Sequence, residues 1–219
     1  DVCRYFIDNK QLPDALNNQV SQSINQIEDI MNKQFGNPKN PLLVSIRSGA
    51  MISMPGMMET VLNVGLTEET VQGLASSSNN PRFAYDCYRR LIMMYADVVM
   101  EKSNNIVNKH KHGIRNKLEL HMEKFKKEKK YVKDTDLNES DLKRLCNQFK
   151  QIITETFGTS FPDDPNVQLW NSIQAVFKSW NGDRAKKYRK IEGISDRIGT
   201  AVNVQSMVFG NMGDGSATG

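Results

Sequence analysis

The spacing of apolar residues along the chain predicts a series of amphipathic helices. From Leu12 to Phe35 the apolar positions recur every three or four residues, which is the repeat of one helix face, and Gly36 and Pro38 end that pattern. Similar stripes predict four further helices, which begin near Thr67, Arg82, Asn138 and Pro165. Helices therefore account for most of the predicted secondary structure.

Two short segments instead have the pattern of strands. Pro41–Ile46 is apolar and bounded by turn residues, as is typical of a strand that is buried on both faces. Thr200–Phe209 alternates, with Val202, Val204 and Val208 on one face. Long helices combined with a few separated strands predict an α+β fold.

The residues that follow the first predicted strand are unusual. Arg47 comes directly after the apolar run, where it is desolvated on one side and needs an anion or a carboxylate as a partner. A loop with two glycines and a proline follows, and Met57–Val64 is predicted to begin as a short helix. Four methionines lie in or beside this loop without the periodicity of core residues: Met51, Met54, Met57 and Met58.

The positive charge of the chain is concentrated in one segment. The 219 residues carry a net charge of +4, yet Lys102–Lys133 alone has eleven Lys and Arg against three Asp and Glu. We expect a solvated, mobile insertion here. Docking of nucleic acid or of an acidic partner is the alternative, although one aromatic among the lysines offers a poor platform for stacking bases.

Other classes of protein are disfavoured. No stretch approaches the roughly 18 apolar residues of a membrane span, so we expect no membrane partner. Three widely spaced cysteines form neither a disulfide framework nor a metal knuckle, which favours reduced thiols and a cytoplasmic location. The three histidines, His110, His112 and His121, all lie in the basic segment without further ligands at suitable spacing, so we expect no metal site there.

The last ten residues contain four glycines together with Ser216 and Thr218. A strand that leads into such a loop is one way of presenting backbone N–H groups to phosphate oxygens, although the GK[ST] signature of a Walker motif is absent. The chain stops inside this loop, so we expect it to be part of a longer protein.

Four blocks together resemble the nucleotide-binding domain of the pyruvate, phosphate dikinase family. They are LLVSIRSGAMISMPGMMETVLNVGL (Leu42–Leu66), NPRFAYDCYRRLIMMYADVVM (Asn80–Met100), QLWNSIQAVFKSWNGDRAKKYRK (Gln168–Lys190) and GTAVNVQSMVFGNMGDGSATG (Gly199–Gly219). They occur in the order of the family and leave only about Lys102–Lys133 without a counterpart. Phosphoenolpyruvate synthases and glucan-water dikinases carry a different loop in place of Met-Pro-Gly-Met-Met.

The resemblance implies a function. Enzymes of this family interconvert ATP, phosphate and pyruvate with AMP, pyrophosphate and phosphoenolpyruvate, through a phosphohistidine on a separate domain. It implies a partial ATP-grasp-like domain with a helical insertion, a homodimer when full-length, and Mg²⁺ as cofactor, bound by an acidic pair beyond Gly219. The fragment by itself should lack activity. A non-enzymatic binding module that uses the basic segment remains the alternative.

The resemblance also implies the ATP-binding residues, namely two arginines, a loop and the glycine-rich tail: Arg47, Arg90, Gly56, Met58, Thr218 and Gly219. Arg47 and Arg90 would act in catalysis by stabilising charge on the transferring phosphates, a task for which planar guanidinium groups are well suited.

The same resemblance divides the chain into parts. Residues 1–66 and 163–208 would form one ATP-binding lobe, and residues 67–162 would be a helical insertion into that lobe. Residues 209–219 would begin the second lobe.

Overall fold

A computed structural model describes residues 2–104, 113–213 and 215–217. Within these ranges the helices are α1 (Val2–Asn9), α2 (Ala15–Met31), α3 (Thr70–Ser78), α4 (Pro81–Tyr95), α5 (Ile114–Lys129), α6 (Glu139–Phe157), α7 (Pro165–Ser179) and α8 (Asp183–Glu192). The strands are β1 (Gln34–Phe35), β2 (Pro41–Leu42), β3 (Val44–Ser48), β4 (Thr60–Val64) and β5 (Val202–Ser206). A π-helical turn, Ala96–Glu101, extends α4. The predicted α+β class is confirmed.

Strands β3, β4 and β5 form a three-stranded antiparallel sheet. Its order is β4-β3-β5, so β3 is the middle strand, and β1 and β2 form a separate two-residue parallel pair. Helix α7 packs against all three strands of the larger sheet. Val44 and Ile46, which alternate along β3, are fully buried.

The prediction of a short helix at Met57–Val64 is wrong, because Thr60–Val64 forms β4. The segment contains the β-branched residues Thr60, Val61 and Val64, which favour an extended backbone. Pairing with β3 satisfies its backbone groups and leaves Val61 and Val64 fully buried. The partner strand lies across a loop, so a local helical pattern could not reveal it.

The predicted helix starts are supported by their caps. The side chain of Asn80 accepts a hydrogen bond from the backbone N–H of Phe83 at 3.0 Å, and Pro81 occupies the first turn of α4. Asn138 forms a capping box with Asp141 at the start of α6. These residues fix where each helix begins.

The basic segment contains a packed helix. Helix α5 lies against α6 and buries four of its apolar side chains, those of Ile114, Leu118, Met122 and Phe125. The buried Lys126 ammonium contacts the carboxylates of Glu123 and Asp134, each at 2.7 Å. Residues 114–129 therefore do not form the mobile insertion expected from their charge. Residues 105–112, with His110 and His112, lie outside the described residues.

The chain leaves β5 and crosses to the start of α4. The backbone N–H of Met207 donates to the carbonyl oxygen of Leu43 at 2.8 Å. Phe209 then packs edge-on against Phe83, with 5.1 Å between the ring centroids. The side-chain amide of Asn80 donates to the carbonyl of Met212 at 3.3 Å. None of the described helices is both long and apolar enough to cross a membrane.

Candidate functional site

One face of the central sheet carries a row of polar side chains. Arg47 in the middle strand lies directly opposite Thr60 of β4 and Asn203 of β5. Residues that are opposite one another in antiparallel strands project to the same face. Arg47 and Asn203 are exposed and Thr60 is half-buried. We call this set, Arg47, Thr60 and Asn203, the polar face of the sheet.

Arg47 ends the buried part of β3. Ile46 is fully buried, whereas the next residue is exposed, so the strand anchors the backbone of Arg47 and leaves its side chain free to bind. Among the described residues, none forms a hydrogen bond or an ion pair with its guanidinium group. Its five N–H donors therefore remain available to an anion.

The methionine-rich loop joins β3 to β4 at the Arg47 end of the sheet. The backbone N–H of Met57 donates to the carbonyl of Met54 at 3.1 Å, with Pro55 and Gly56 between them. Gly56 has a φ of +70°, so Pro and Gly occupy the second and third positions that a type II turn favours. No atom lies within 4 Å of a Cβ built at Gly56, so glycine is needed there for its backbone conformation.

The second half of the loop is anchored on α7. The hydroxyl of Ser179 accepts a hydrogen bond from the backbone N–H of Glu59 at 3.3 Å and lies 4.0 Å from the sulfur of Met58. Met58 itself is half-buried. The loop is therefore fixed at its β4 end, while Met51 near its start is 82% exposed.

Arg90 belongs to a group of three charged residues on α4. Asp86 is buried, and one of its carboxylate oxygens accepts from Arg89 Nε at 3.0 Å and Arg89 Nη2 at 2.6 Å. The other oxygen accepts from Arg90 Nε at 2.7 Å. Arg89 is 4% exposed, whereas the side chain of Arg90 is 57% exposed.

The carboxylate of Asp86 stays charged in this setting. Burial by itself raises its pKa, but the charges and hydrogen bonds of Arg89 and then Arg90 outweigh burial, so the pKa lies below its usual value. We call Asp86, Arg89 and Arg90 the α4 triad. The sequence reasoning selected Arg90 and missed Asp86 and Arg89, although their spacing of three and four residues is that of helical ion pairs.

Helix α4 runs along β4, beyond the edge of the sheet. The side-chain amide of Asn63 donates to the carbonyl of Cys87 at 3.1 Å, and the backbone N–H of Leu62 points to the sulfur of Met94 at 3.3 Å. Arg90 lies between those two positions on the helix. The structure therefore places Arg47 and the methionine-rich loop at one end of the sheet and Arg90 on the neighbouring helix. Thr218 and Gly219 lie outside the described residues.

The described histidine and the three cysteines lie in environments that favour structural roles over catalytic ones. His121 Nε2 lies 3.0 Å from the side-chain oxygen of Gln148, and no group of three potential metal ligands occurs among the described residues. All three cysteines are free and buried, and burial is the main cause that raises the pKa values of Cys87 and Cys146 to about 12. A thiolate nucleophile is thus disfavoured at both positions.

The polar face of the sheet and the methionine-rich loop together are suited to binding an anion. The polar face offers an unpaired guanidinium on a rigid strand, and the adjoining turn at Gly56 presents an open backbone. Phosphoryl transfer depends mainly on positioning and on neutralising developing negative charge. Arg47 with this loop is therefore competent to bind phosphate oxygens.

Comparison with known proteins agrees with this chemistry. The family model described as "Pyruvate phosphate dikinase, AMP/ATP-binding domain" matches residues 2–219. Pyruvate, phosphate dikinase of Clostridium symbiosum is 45% identical over 98% of this chain. The chloroplastic pyruvate, phosphate dikinase 1 of Arabidopsis thaliana is 47% identical over the whole chain, and the dikinase of Rhizobium meliloti is 43% identical over the same extent.

The chain spans less than a quarter of these relatives, covering 24%, 22% and 23% of their respective lengths. The match to the family model nevertheless extends over nearly every residue of this chain. The chain therefore belongs to the pyruvate phosphate dikinase AMP/ATP-binding domain family.

Proposed function

We propose that this chain is the ATP-binding portion of a dikinase. The intact protein would use ATP and phosphate to phosphorylate one of its own histidines, releasing AMP and pyrophosphate, and would then phosphorylate pyruvate to phosphoenolpyruvate. The observation that carries the proposal is the exposed guanidinium of Arg47, which ends a buried strand and has no described partner. The fragment alone would be inactive.

The proposed ATP site combines the polar face with the loop beside it. Arg47 and Arg90 would stabilise charge on the transferring phosphates, and Gly56 and Met58 would line the nucleotide. Thr218 and Gly219 complete the proposed set from the tail. Support comes from the open position of Arg47 and from Asp86, which holds Arg90 through Nε while the Arg90 side chain stays 57% exposed.

The proposed architecture is a partial ATP-grasp-like domain. Residues 1–66 and 163–208 would form the first lobe, residues 67–162 the helical insertion, and residues 209–219 the start of the second lobe. The pairing of β5 with β3 supports the first of these assignments, because it joins residues 202–206 to the N-terminal part of the chain.

The remaining components of the proposal concern the intact protein. Mg²⁺ would be its cofactor, with ligands outside this chain. Phosphate, a phosphohistidine domain of the same chain and a second copy in a homodimer would be its partners, and the cytoplasm its location. The three free thiols are consistent with a reducing compartment. The alternative of a nucleic-acid-binding module is not supported, because the chain belongs to a nucleotide-binding family.

The decisive experiment replaces Arg47 in the full-length protein. We expect Arg47→Ala to slow ATP-dependent histidine phosphorylation by about 10²–10³-fold, the usual scale for one lost charge-stabilising donor. Rapid-quench measurement of AMP formation gives this rate. Arg144→Ala removes an exposed arginine from α6, a helix that packs against α4 and α5, and is the control. Equal rates for Arg47→Ala and the control would refute the proposed role.

A further inference from the structure

A cavity of about 820 Å³ lies beside the β4 end of the methionine-rich loop, between the end of α1, the end of α7 and the start of α8. Met57 and Glu59 line it from the loop, whereas Arg47, Thr60 and Asn203 do not. The cavity is therefore distinct from the polar face of the sheet.

Lysines from three different elements meet at this cavity. Lys10 follows α1, Lys178 is in the last turn of α7, and Lys186 is in the first turn of α8. Lys10 Nζ donates only to a backbone carbonyl, that of Ile7, at 2.8 Å. No described residue forms an ion pair with Lys178 or Lys186. We call these three residues the lysine cluster.

The acidic residues of the cavity do not neutralise this cluster. Glu59 is already paired with Lys102 at 3.3 Å and with Arg184 at 3.2 Å, and Lys102 is also 2.9 Å from Asp97. Asp183 is the one other carboxylate among the described residues that line the cavity. The lining therefore has five cationic side chains against two carboxylates, an excess of three positive charges.

Lys178 is the least exposed of the three lysines. Its side chain is half-buried, and burial, followed by repulsion from Lys10, lowers its pKa below the ordinary lysine value. An anion that contacts both Lys178 and Lys10 would stabilise the charged form of Lys178. Phosphate is suited to this task because its oxygens can accept hydrogen bonds from several ammonium groups at once.

We propose that the cavity binds a small phosphate anion through Lys178, Lys10 and Lys186, at a site separate from that proposed for ATP. The shared chemistry is that of inorganic phosphate and pyrophosphate, and a cavity of about 820 Å³ has room for either. The site does not depend on the proposed dikinase activity, because neither its residues nor its test involves ATP.

The test is calorimetric titration of the 219-residue chain with sodium phosphate and, separately, with sodium pyrophosphate. Nucleotide and Mg²⁺ are omitted, and chloride keeps the ionic strength constant. We expect saturable binding of at least one of the two anions. Lys178→Ala should weaken this binding at least tenfold, and so should Lys10→Gln, which serves as the second variant if Lys178→Ala does not fold. Absence of binding by the folded wild-type chain would overturn the proposal.

Two control variants locate the anion. Lys187 is exposed on α8, next to Lys186, but it does not line the cavity, so Lys187→Ala should leave the affinity within about twofold. Arg47→Ala tests whether the anion binds on the polar face instead. Loss of binding in Arg47→Ala with full binding in Lys178→Ala would place the anion on the polar face and overturn the cavity site.

A spectroscopic readout separates direct contact from a structural effect. In a chain with isotopically labelled lysine side chains, bound phosphate should raise the pKa of Lys178, because the anion favours the charged ammonium. The chemical shift of the Lys187 side chain should not change when phosphate is added. An unchanged Lys178 titration at saturating phosphate would overturn the assignment.

Discussion

Arg47 ends a buried strand with no described carboxylate beside it, whereas Arg89 and Arg90 share the carboxylate of Asp86 on α4. Arg89 is 4% exposed, and a guanidinium so deeply buried needs a fixed anion in the protein itself. Arg47 is exposed to solvent and tolerates the lack of one, so the desolvation expected from its position after the apolar run is wrong. The difference separates an arginine that stabilises the fold from one that is available to a ligand.

Arg90 lies between these two cases. Its Nε is held by Asp86 at 2.7 Å, yet its side chain is 57% exposed. Fixing one nitrogen lowers the rotational freedom of the guanidinium without occupying its outer edge. Asp86 thus links a structural arginine to a proposed functional one.

The largest expected effect follows from removing Asp86. Asp86→Ala leaves Arg89 buried without its counter-ion, so we expect the free energy of unfolding to fall by about 3–5 kcal/mol. Urea denaturation followed by circular dichroism measures this change. Replacing the pair together, as Asp86→Leu with Arg89→Met, should cost less than Asp86→Ala alone. A loss below about 1 kcal/mol in Asp86→Ala would contradict the structural role of the pair.

A smaller, pH-dependent effect should follow from Asp86→Asn. Because the folded state lowers the pKa of Asp86, its ionised form contributes stability above the ordinary Asp pKa of about 3.9. That contribution is lost as the pH falls through the still lower pKa of the folded state. The stability advantage of the wild type over Asp86→Asn should therefore be full at pH 6 and decrease below about pH 4. Denaturation series at pH 3, 4, 5 and 6 would show it, and a constant difference would contradict it.

Cys87 offers a local probe of the α4 triad. Its thiol is 3% exposed, and burial raises its pKa to about 12, so it should react slowly with a thiol-specific reagent while the protein is folded. Asp86→Ala should accelerate this reaction by promoting opening of α4. Arg47→Ala should not. Mass spectrometry of the labelled peptide gives the rates, and equal labelling in both variants would show that the two regions are not energetically distinct.

The smallest expected changes in stability are those of the exposed arginines. Arg90→Ala should lower the free energy of unfolding by at most about 1 kcal/mol, because its ion pair is largely exposed. Arg47→Ala should change it by less than about 0.5 kcal/mol. The same denaturation assay measures both. If Arg47→Ala lowered the free energy of unfolding by several kcal/mol, Arg47 would be a structural residue like Arg89, and the proposed difference between them would be wrong.

Local signals in the sequence were sufficient for several elements. Asn138 marked the start of α6 because a cap is formed within one turn. The apolar run before Arg47 predicted β3 and placed this arginine at the boundary of the core. Sequence blocks also carried the family assignment. By contrast, the sequence reasoning selected Arg90 without Asp86 and Arg89, and the spacing of these residues does not reveal how deeply Arg89 is buried.

Sequence alone therefore determined the starts of α4, α6 and α7, the α+β class and the position of Arg47 at the end of an apolar run, since each depends on neighbouring residues. It did not determine the end of α2, because the apolar stripe continues to Phe35 whereas the helix ends at Met31 and Gln34–Phe35 is β1. Tertiary structure decided that Thr60–Val64 is a strand, because its partner β3 lies across a loop. It also decided that the basic helix α5 is packed, because α6 supplies an apolar surface for one face while the lysines cover the other. The lysine cluster depends entirely on tertiary structure, because Lys10 and Lys178 are brought together only when α1 packs on α7.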